Sequence, residues 1–554
     1  MTVLTGFQPS TDPTGNQFLS ALVAMIPILA MLITLGGLRW RAHYAGLFSW
    51  GLACIVAVAV FKMPIAMVAA TSAEGFLYGI FPIVWILLAA IWMYQVTVIS
   101  GRFDDLRRTF YLISDDTRVL GLLIAFCFGG LLEALAGFGA PVAITTVMLI
   151  AIGFSKLRAA IVALLANTVP VAFGAVGLPV LMAAKTADMD VYAIAPITGR
   201  ITAILCLVVP FLLLAVMDGK HGVKQCWPFG LVVGLTFGIT KWIISGSALY
   251  NLTEVFSAVV SVVVAIAFTR VWKPAGSAEA RPRVGAPLVP EVEGGPVEAQ
   301  STDASDLTRQ RIFMAVVPYV LVIVVFAIAN LAPVAKFAKS LDVKIPWPVL
   351  TGELLDSAGK ASSHQTYTFS WASTPGILLA FVAILVGLIY KVSMKDLFGE
   401  LVVNAKKMKF TVLTIGSVVA LAYVMGDSGQ TLALGMWIAG AGVIYPFLAP
   451  ILGWIGTYVT GSDTSANILF SGLQAGVGDQ IGHKALLVGS NAAGGVVGKM
   501  ISPQSLAIAA TAMSLAGAES TVLRKVIGWS LGLLVVLCLV SGLMSTPVLA
   551  WVLP

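Results

Sequence analysis

Apolar runs of roughly 20 residues recur along nearly the whole chain, the length a helix needs to cross a hydrocarbon core about 30 Å thick. Inside such a core every backbone N–H and C=O must find its partner within the protein, which leaves helices or closed barrels. The strict apolar–polar alternation of barrel strands is absent, so the sequence predicts an all-α integral membrane protein. Composition agrees: 59% of the 554 residues are hydrophobic and 11% charged, against about 25% charged in soluble domains. The net charge of +7 comes from Lys and Arg grouped beside the ends of the apolar runs, a signal of topology and not of nucleic-acid binding. Cys54, Cys127, Cys206, Cys226 and Cys538 lie in or beside apolar segments without CxxC spacing. His43, His221, His364 and His483 are scattered through loops, so neither a disulfide framework, a metal nor a cofactor is expected. Residues 1–17 hold no Lys or Arg, and the first apolar run is therefore expected to be a permanent span and not a cleaved signal.

About 12 crossings are predicted. They fall near 18–37, 44–63, 77–97, 156–184, 196–216, 227–246, 252–270, 311–332, 372–390, 408–426, 484–512 and 525–550. Two further apolar stretches, 118–153 and 431–472, are too long for one span and are interrupted by small and polar residues. Arg39 and Arg41, the group Arg102 to Arg118, Lys156 with Arg158, and Lys220 with Lys224 all sit in short loops, which the charge rule places in the cytoplasm. The stretch 118–153 then enters and leaves on one side, as a re-entrant hairpin with its tip at Gly137-Phe138-Gly139-Ala140-Pro141. By the same rule 431–472 is a second hairpin on the opposite face, with its tip at Gly461-Ser462-Asp463-Thr464-Ser465.

The spacing between the two tips also relates Asn167 to Asn491, Gly174 to Gly498, Pro179 to Pro503 and Arg200 to Arg524. Asn, Pro and Arg are scarce in spans, so residue type carries this comparison. The chain is accordingly read as two inverted-topology repeats with discontinuous helices. The first is 1–216, with hairpin 118–153 and broken helix 156–184; the second is 309–554, with hairpin 431–472 and broken helix 484–512. Two linking helices, 217–270, and a flexible cytoplasmic linker, 271–308, join them, and 333–371 is expected to be an interfacial cap. Breaks that converge at mid-membrane offer N–H groups to a carboxylate and C=O groups to a cation.

Ionisable residues at membrane depth are costly and point to function. Glu133, four residues before the first tip, and Asp463 in the second are the candidate proton carriers. A carboxyl tied to a neighbouring break, or a solvated turn, would look the same. Lys499 is the cation of the second break and can hold a monocarboxylate or pair with either acid. Gly137, Gly139, Asn167, Thr168, Ser462, Thr464, Ser465, Asn491, Lys499 and Ser502 are the candidate substrate-binding residues, and Arg200 a gate or anchor. Gly494 to Gly498-Lys499 matches part of a phosphate loop, but Met500 replaces the required Ser/Thr, which argues against nucleotide binding.

The stretches Phe126-Cys127-Phe128-Gly129, Glu133, Ala136-Gly137-Phe138-Gly139-Ala140-Pro141, Asn167-Thr168, Thr460-Gly461-Ser462-Asp463-Thr464-Ser465 and Gly498-Lys499-Met500-Ile501-Ser502-Pro503-Gln504-Ser505 resemble the lactate permease family nearly end to end. That resemblance implies a bacterial inner-membrane importer of L-lactate, D-lactate and glycolate in symport with a proton. Its partners would be a small carboxylate, the proton and membrane lipid, without nucleic acid. Sodium-coupled dicarboxylate carriage is the alternative within transport. A membrane enzyme is the alternative outside it, and no nucleophile–base pair or cofactor motif supports one.

Overall fold

The computed structural model describes residues 6–34, 38, 40–110, 112–135, 139–295, 307–329, 331–356, 359–513, 515 and 518–554. The protein is helical almost throughout, and its one sheet among these residues is an antiparallel pair, Val343–Pro346 with Thr366–Phe369. Among the described residues, eight helical segments are long and apolar enough to cross a membrane, nine when the bent pair Lys156–Asn167 and Val171–Thr186 is counted as one more. One of the eight, Val191–Ser245, folds back at Asp218 and Gly219, so that Gly234 lies against the Cys206 carbonyl and Gly199 against Ser245. This is a multi-pass membrane protein.

Both hairpins form. The arms of the first are a continuous run from Thr117 to Leu135 and the helix Ala140–Ala151. Gly139 sets the direction of the return arm at φ 87°, a conformation that only glycine adopts freely. The second hairpin differs in register from the expected 431–472. Its arms are Tyr445–Thr460 and Asp463–Ile481, and Gln430–Ile438 is a separate helix cut off where Gly442 turns at φ 56°. Its tip is only Gly461 and Ser462, because Asp463 already opens the return helix. Small residues bring this hairpin onto the second broken helix. A Cβ on Gly494 would run into the Pro450 carbonyl and one on Gly498 into that of Trp454, the close backbone approach that small-xxx-small spacing permits in membranes.

The broken helices interrupt as their sequences suggest. Lys156–Asn167 ends before a short turn, Val171–Phe173, and Ala175 to Gly177 are all left-handed inside Gly174–Thr186, with the two halves bent by 59°. Lys484–Gly498 passes through the turn Lys499–Ile501 into Pro503–Ala512. One break was not expected: the span predicted at 77–97 starts at Ile65 and is interrupted over Gly79–Val84, where Phe81 is extended and Pro82 cannot donate to the helix.

Several segments that carry or adjoin basic residues pack against distant parts of the chain. Arg118 bonds Asp218 and the Ala275 carbonyl, Arg311 pairs with Asp105, and the His43 ring stacks on Phe410 at 4.6 Å. The region read as a flexible linker departs from that expectation over its described part, 271–295. Ser277–Gly285 and Pro290–Glu293 are helices, Arg283 grips both Asp218 oxygens at 2.6 and 2.8 Å, and Glu293 caps the amide of Leu157 at 2.8 Å. Composition suggested a tether, but a few charged residues dock it as a strap. Because Ser277 binds Asp116 and Val284 binds the Ser155 amide, both ends of hairpin 118–153 lie under the strap, as a re-entrant element requires. The helix Arg309–Ala329 leads on to 333–371, which carries a helix, Ala332–Ser340, and the two strands. Trp347 and Tyr367 bind the carbonyls of Ala70 and Phe81, so the cap is seated on the broken span.

Candidate functional site

Three interruptions, the two breaks and the tip of the second hairpin, meet an arm of the first hairpin at one cavity of about 20 Å³, lined by residues that include Glu133, Gly174, Ser462, Asp463, Thr464 and Lys499. That is room for about one water molecule.

Glu133 reaches it from the first arm of hairpin 1. Its Oε1 accepts from Lys499 Nζ at 2.6 Å and its Oε2 from Asn167 Nδ2 at 2.9 Å. Side-chain exposure is 3% for Glu133 and 9% for Lys499, so the pair is withdrawn from bulk solvent and its attraction is weakly screened. Gly174 leaves space for it: a Cβ there would stand 2.9 Å from Glu133 Oε1. Lys499 occupies the turn after Lys484–Gly498, where the negative end of that helix favours a cation.

Asp463 arrives from the other hairpin. Ser462 caps its helix by accepting from the Ser465 amide at 3.3 Å, and a carboxylate in a first turn is favoured by the helix dipole. Oδ1 accepts from Asn467 at 3.2 Å and from Thr457 at 3.4 Å, while Oδ2 is buried without a hydrogen-bond partner among the described residues. Behind Asp463 the polar groups continue: Asn491 donates to Asn467 at 2.9 Å, Gln474 to Asn491 at 3.3 Å, and Tyr445 to Gln474 at 3.0 Å.

The structure thus gathers Glu133, Asn167, Ser462, Asp463, Thr464 and Lys499 in and around one cavity. Gly137 lies outside the described residues. Gly139 is at the tip of hairpin 1, where a Cβ would strike Ile508 of the second broken helix. Ser465 serves the cap through its amide, and Asn491 stands one layer back. Thr168 turns its hydroxyl to the Leu165 carbonyl at 2.7 Å, and Ser502 joins the Lys499 carbonyl to Ser505, so both are occupied in shaping the breaks. Arg200 is elsewhere: its guanidinium lies 5.3 Å from the Trp242 ring and bonds the Val552 carbonyl, an anchor for the end of the chain.

Two clusters escaped the reading of the sequence. Lys241 and Glu254, 2.6 Å apart and both fully buried, lie behind the first break. Under the cap, His364 Nδ1 is 2.8 Å from Asp427 Oδ1, its ring stacks on Tyr423 at 4.1 Å, and Thr71 donates to the other Asp427 oxygen. Burial works against charge on His364, but Asp427 and then Glu74 outweigh it and lift its pKa to about 9.

Helices that break at membrane depth around a buried ion pair and a second, part-satisfied carboxylate define a membrane transport protein. The sequence profile described as L-lactate permease matches residues 20–548. The chain belongs to that family. It is similar to "Glycolate permease GlcA" of Escherichia coli (strain K12), 40% identical over 534 residues and 94% of each chain. It is also similar to "L-lactate permease" of the same strain, 34% identical over 99% of this chain and 100% of that one. With "L-lactate permease" of Bacillus subtilis (strain 168) it is 35% identical over 99% of each. These relatives are named as permeases and not as enzymes. The solved Alcanivorax borkumensis YdaH transporter aligns at 13% identity and a TM-score of 0.30 over 76% of this chain and 87% of that one, a likeness too slight to carry an argument.

Proposed function

We propose that this protein is a secondary carrier of the bacterial inner membrane that imports L-lactate, glycolate and related 2-hydroxymonocarboxylates, D-lactate included, in symport with a proton. The relatives' names support the substrate class. The observation that carries the coupling is the Glu133–Lys499 pair at 2.6 Å beside an Asp463 oxygen that has no hydrogen-bond partner among the described residues.

With both acids ionised the cavity holds two negative charges and one positive. A monocarboxylate would bring a third negative charge, and like charges 4 Å apart at an effective dielectric near 20 repel by about 4 kcal/mol. One proton taken by Glu133 or Asp463 restores the original balance. Protonation of Glu133 also frees Lys499 to receive the substrate carboxylate, while Ser462 and Thr464 line the cavity as hydroxyl-bearing candidates for its 2-hydroxyl. Lys499 is the one cation among the lining residues, which suits a monoanion better than a dianion.

The test is uptake of labelled L-lactate into proteoliposomes under an inward proton gradient without sodium. Accumulation above equilibrium that is lost in Glu133→Gln and in Lys499→Ala supports this reading. Flux that requires sodium, or that no proton gradient can drive uphill, removes it.

A further inference from the structure

We propose that the Lys241–Glu254 pair is a positioning device for this site: Lys241 holds the Val169 carbonyl and thereby fixes the break that presents Asn167 to Glu133. The inference rests on the reading of Glu133 as part of the transport site.

Lys241 and Glu254 belong to the helices of 217–270 and not to a hairpin or broken helix, and neither side chain is exposed at all. As a means of packing, an ion pair here is a poor choice, because apolar residues of the same volume fill such space at lower cost. What apolar residues lack is a donor. Val169 follows the end of Lys156–Asn167, where the last carbonyls have no helical partner. The amide of Phe173, which a continuing helix would direct to Val169, goes to Pro170 at 3.3 Å instead. Lys241 Nζ supplies the missing donor at 2.6 Å, and Glu254 Oε1, also at 2.6 Å, balances its charge.

The ammonium is held by more than these two oxygens. The rings of Phe173 and Phe237 each stand 5.8 Å from it, one from the break and the other from a linking helix. Phe237 in turn packs edge-on against Phe126 of hairpin 1 at 4.9 Å, and a Cβ on Gly130 would meet it at 3.2 Å. One buried ammonium therefore ties the broken helix to the arm that carries Glu133. Asn167 lies two residues from the carbonyl it holds, and Asn167 Nδ2 is the second donor to Glu133. A break that drifts by an ångström loses that contact, leaving Lys499 as the sole partner of Glu133.

The test uses the full-length protein in proteoliposomes with two variants. Lys241→Met/Glu254→Gln removes both charges together, so no unpaired ion strains the fold, and it removes the donor to Val169. Glu254→Asp keeps both charges but draws the ammonium away from Val169. Labelled L-lactate uptake gives KM and the maximal rate, and hydrogen–deuterium exchange over residues 165–173 reads the break itself. Both variants are expected to raise KM and to speed exchange in that segment by about ten-fold each, the scale of one lost buried hydrogen bond. Exchange elsewhere and the thermal midpoint are expected to stay at wild-type values. Wild-type KM and wild-type exchange at 165–173 in either variant that folds would overturn the proposal. If the wild type carries no lactate, the transport reading fails, and the exchange measurement still decides whether Lys241 fixes the break.

Discussion

Removing Lys499 alone should harm this protein more than removing Lys499 and Glu133 together. The ion pair is 2.6 Å long with side chains 9% and 3% exposed, so Lys499→Met leaves a buried carboxylate whose remaining donor is Asn167 at 2.9 Å. Breaking a buried pair from one side costs about 3–5 kcal/mol, whereas exchanging both members for neutral groups of similar volume is often neutral. Lys499→Met/Glu133→Gln should therefore unfold within about 1 kcal/mol of wild type, which makes it about 2–4 kcal/mol more stable than Lys499→Met alone. SDS titration in mixed micelles, followed through intrinsic tryptophan fluorescence, compares wild type, Lys499→Met, Glu133→Gln and the double variant. Additive effects of the two substitutions would refute the reasoning that the two side chains neutralise one another.

Gly174→Ala should fold normally, since Gly174 has an ordinary extended backbone, φ −60° and ψ 159°, yet lose proton-driven uptake as its methyl crowds Glu133 from 2.9 Å. A variant with wild-type uptake would show that the cavity is not the site. The cap should loosen in alkali. An ordinary histidine titrates near 6.5 and His364 near 9, so its pairing with Asp427 stabilises the cap fully below about pH 6.5 and is lost as pH rises through about 9. Protection of the amides of Val343–Pro346 and Thr366–Phe369, taken relative to their intrinsic exchange rates at each pH, should fall across that interval in wild type and not in His364→Gln. Asp218→Asn weakens the grip of Arg118 and Arg283 together, and tryptic cleavage within 271–295 should quicken relative to wild type.

The residues that make this cavity were legible because each is out of place in an apolar run. Glu133 has no solvent, Lys499 interrupts a glycine-rich helix, and Asn167 and Pro170 mark a break where a span should continue. Pairing was not legible to the same degree. Lys499 was open to either acid, and only folding puts its ammonium on Glu133 instead of Asp463. Lys241 sits near the end of an apolar run, where a lysine usually reaches for water; its burial depends on Glu254, and nothing local to either residue announces the other. The docked strap was hidden for a similar reason. Proline and glycine set the composition of 271–295, but Arg283 and Glu293 decide its structure through contacts with residues far away in the chain. The break at Gly79–Val84 did leave a signal in Pro82, lost within a run whose hydropathy reads as one uninterrupted span.

If the proposed cavity is the substrate site, its volume of about 20 Å³ is too small for any hydroxy acid, and binding requires a more open form. The apparent dissociation constant is then the intrinsic one divided by the fraction of molecules that are open. If that fraction is about one in a hundred, an intrinsically micromolar site presents itself to the cell as about a hundred-fold weaker. On that reading affinity is set in two places. One is the set of side chains that touch the ligand, and the other is every contact, however remote, that keeps the box shut.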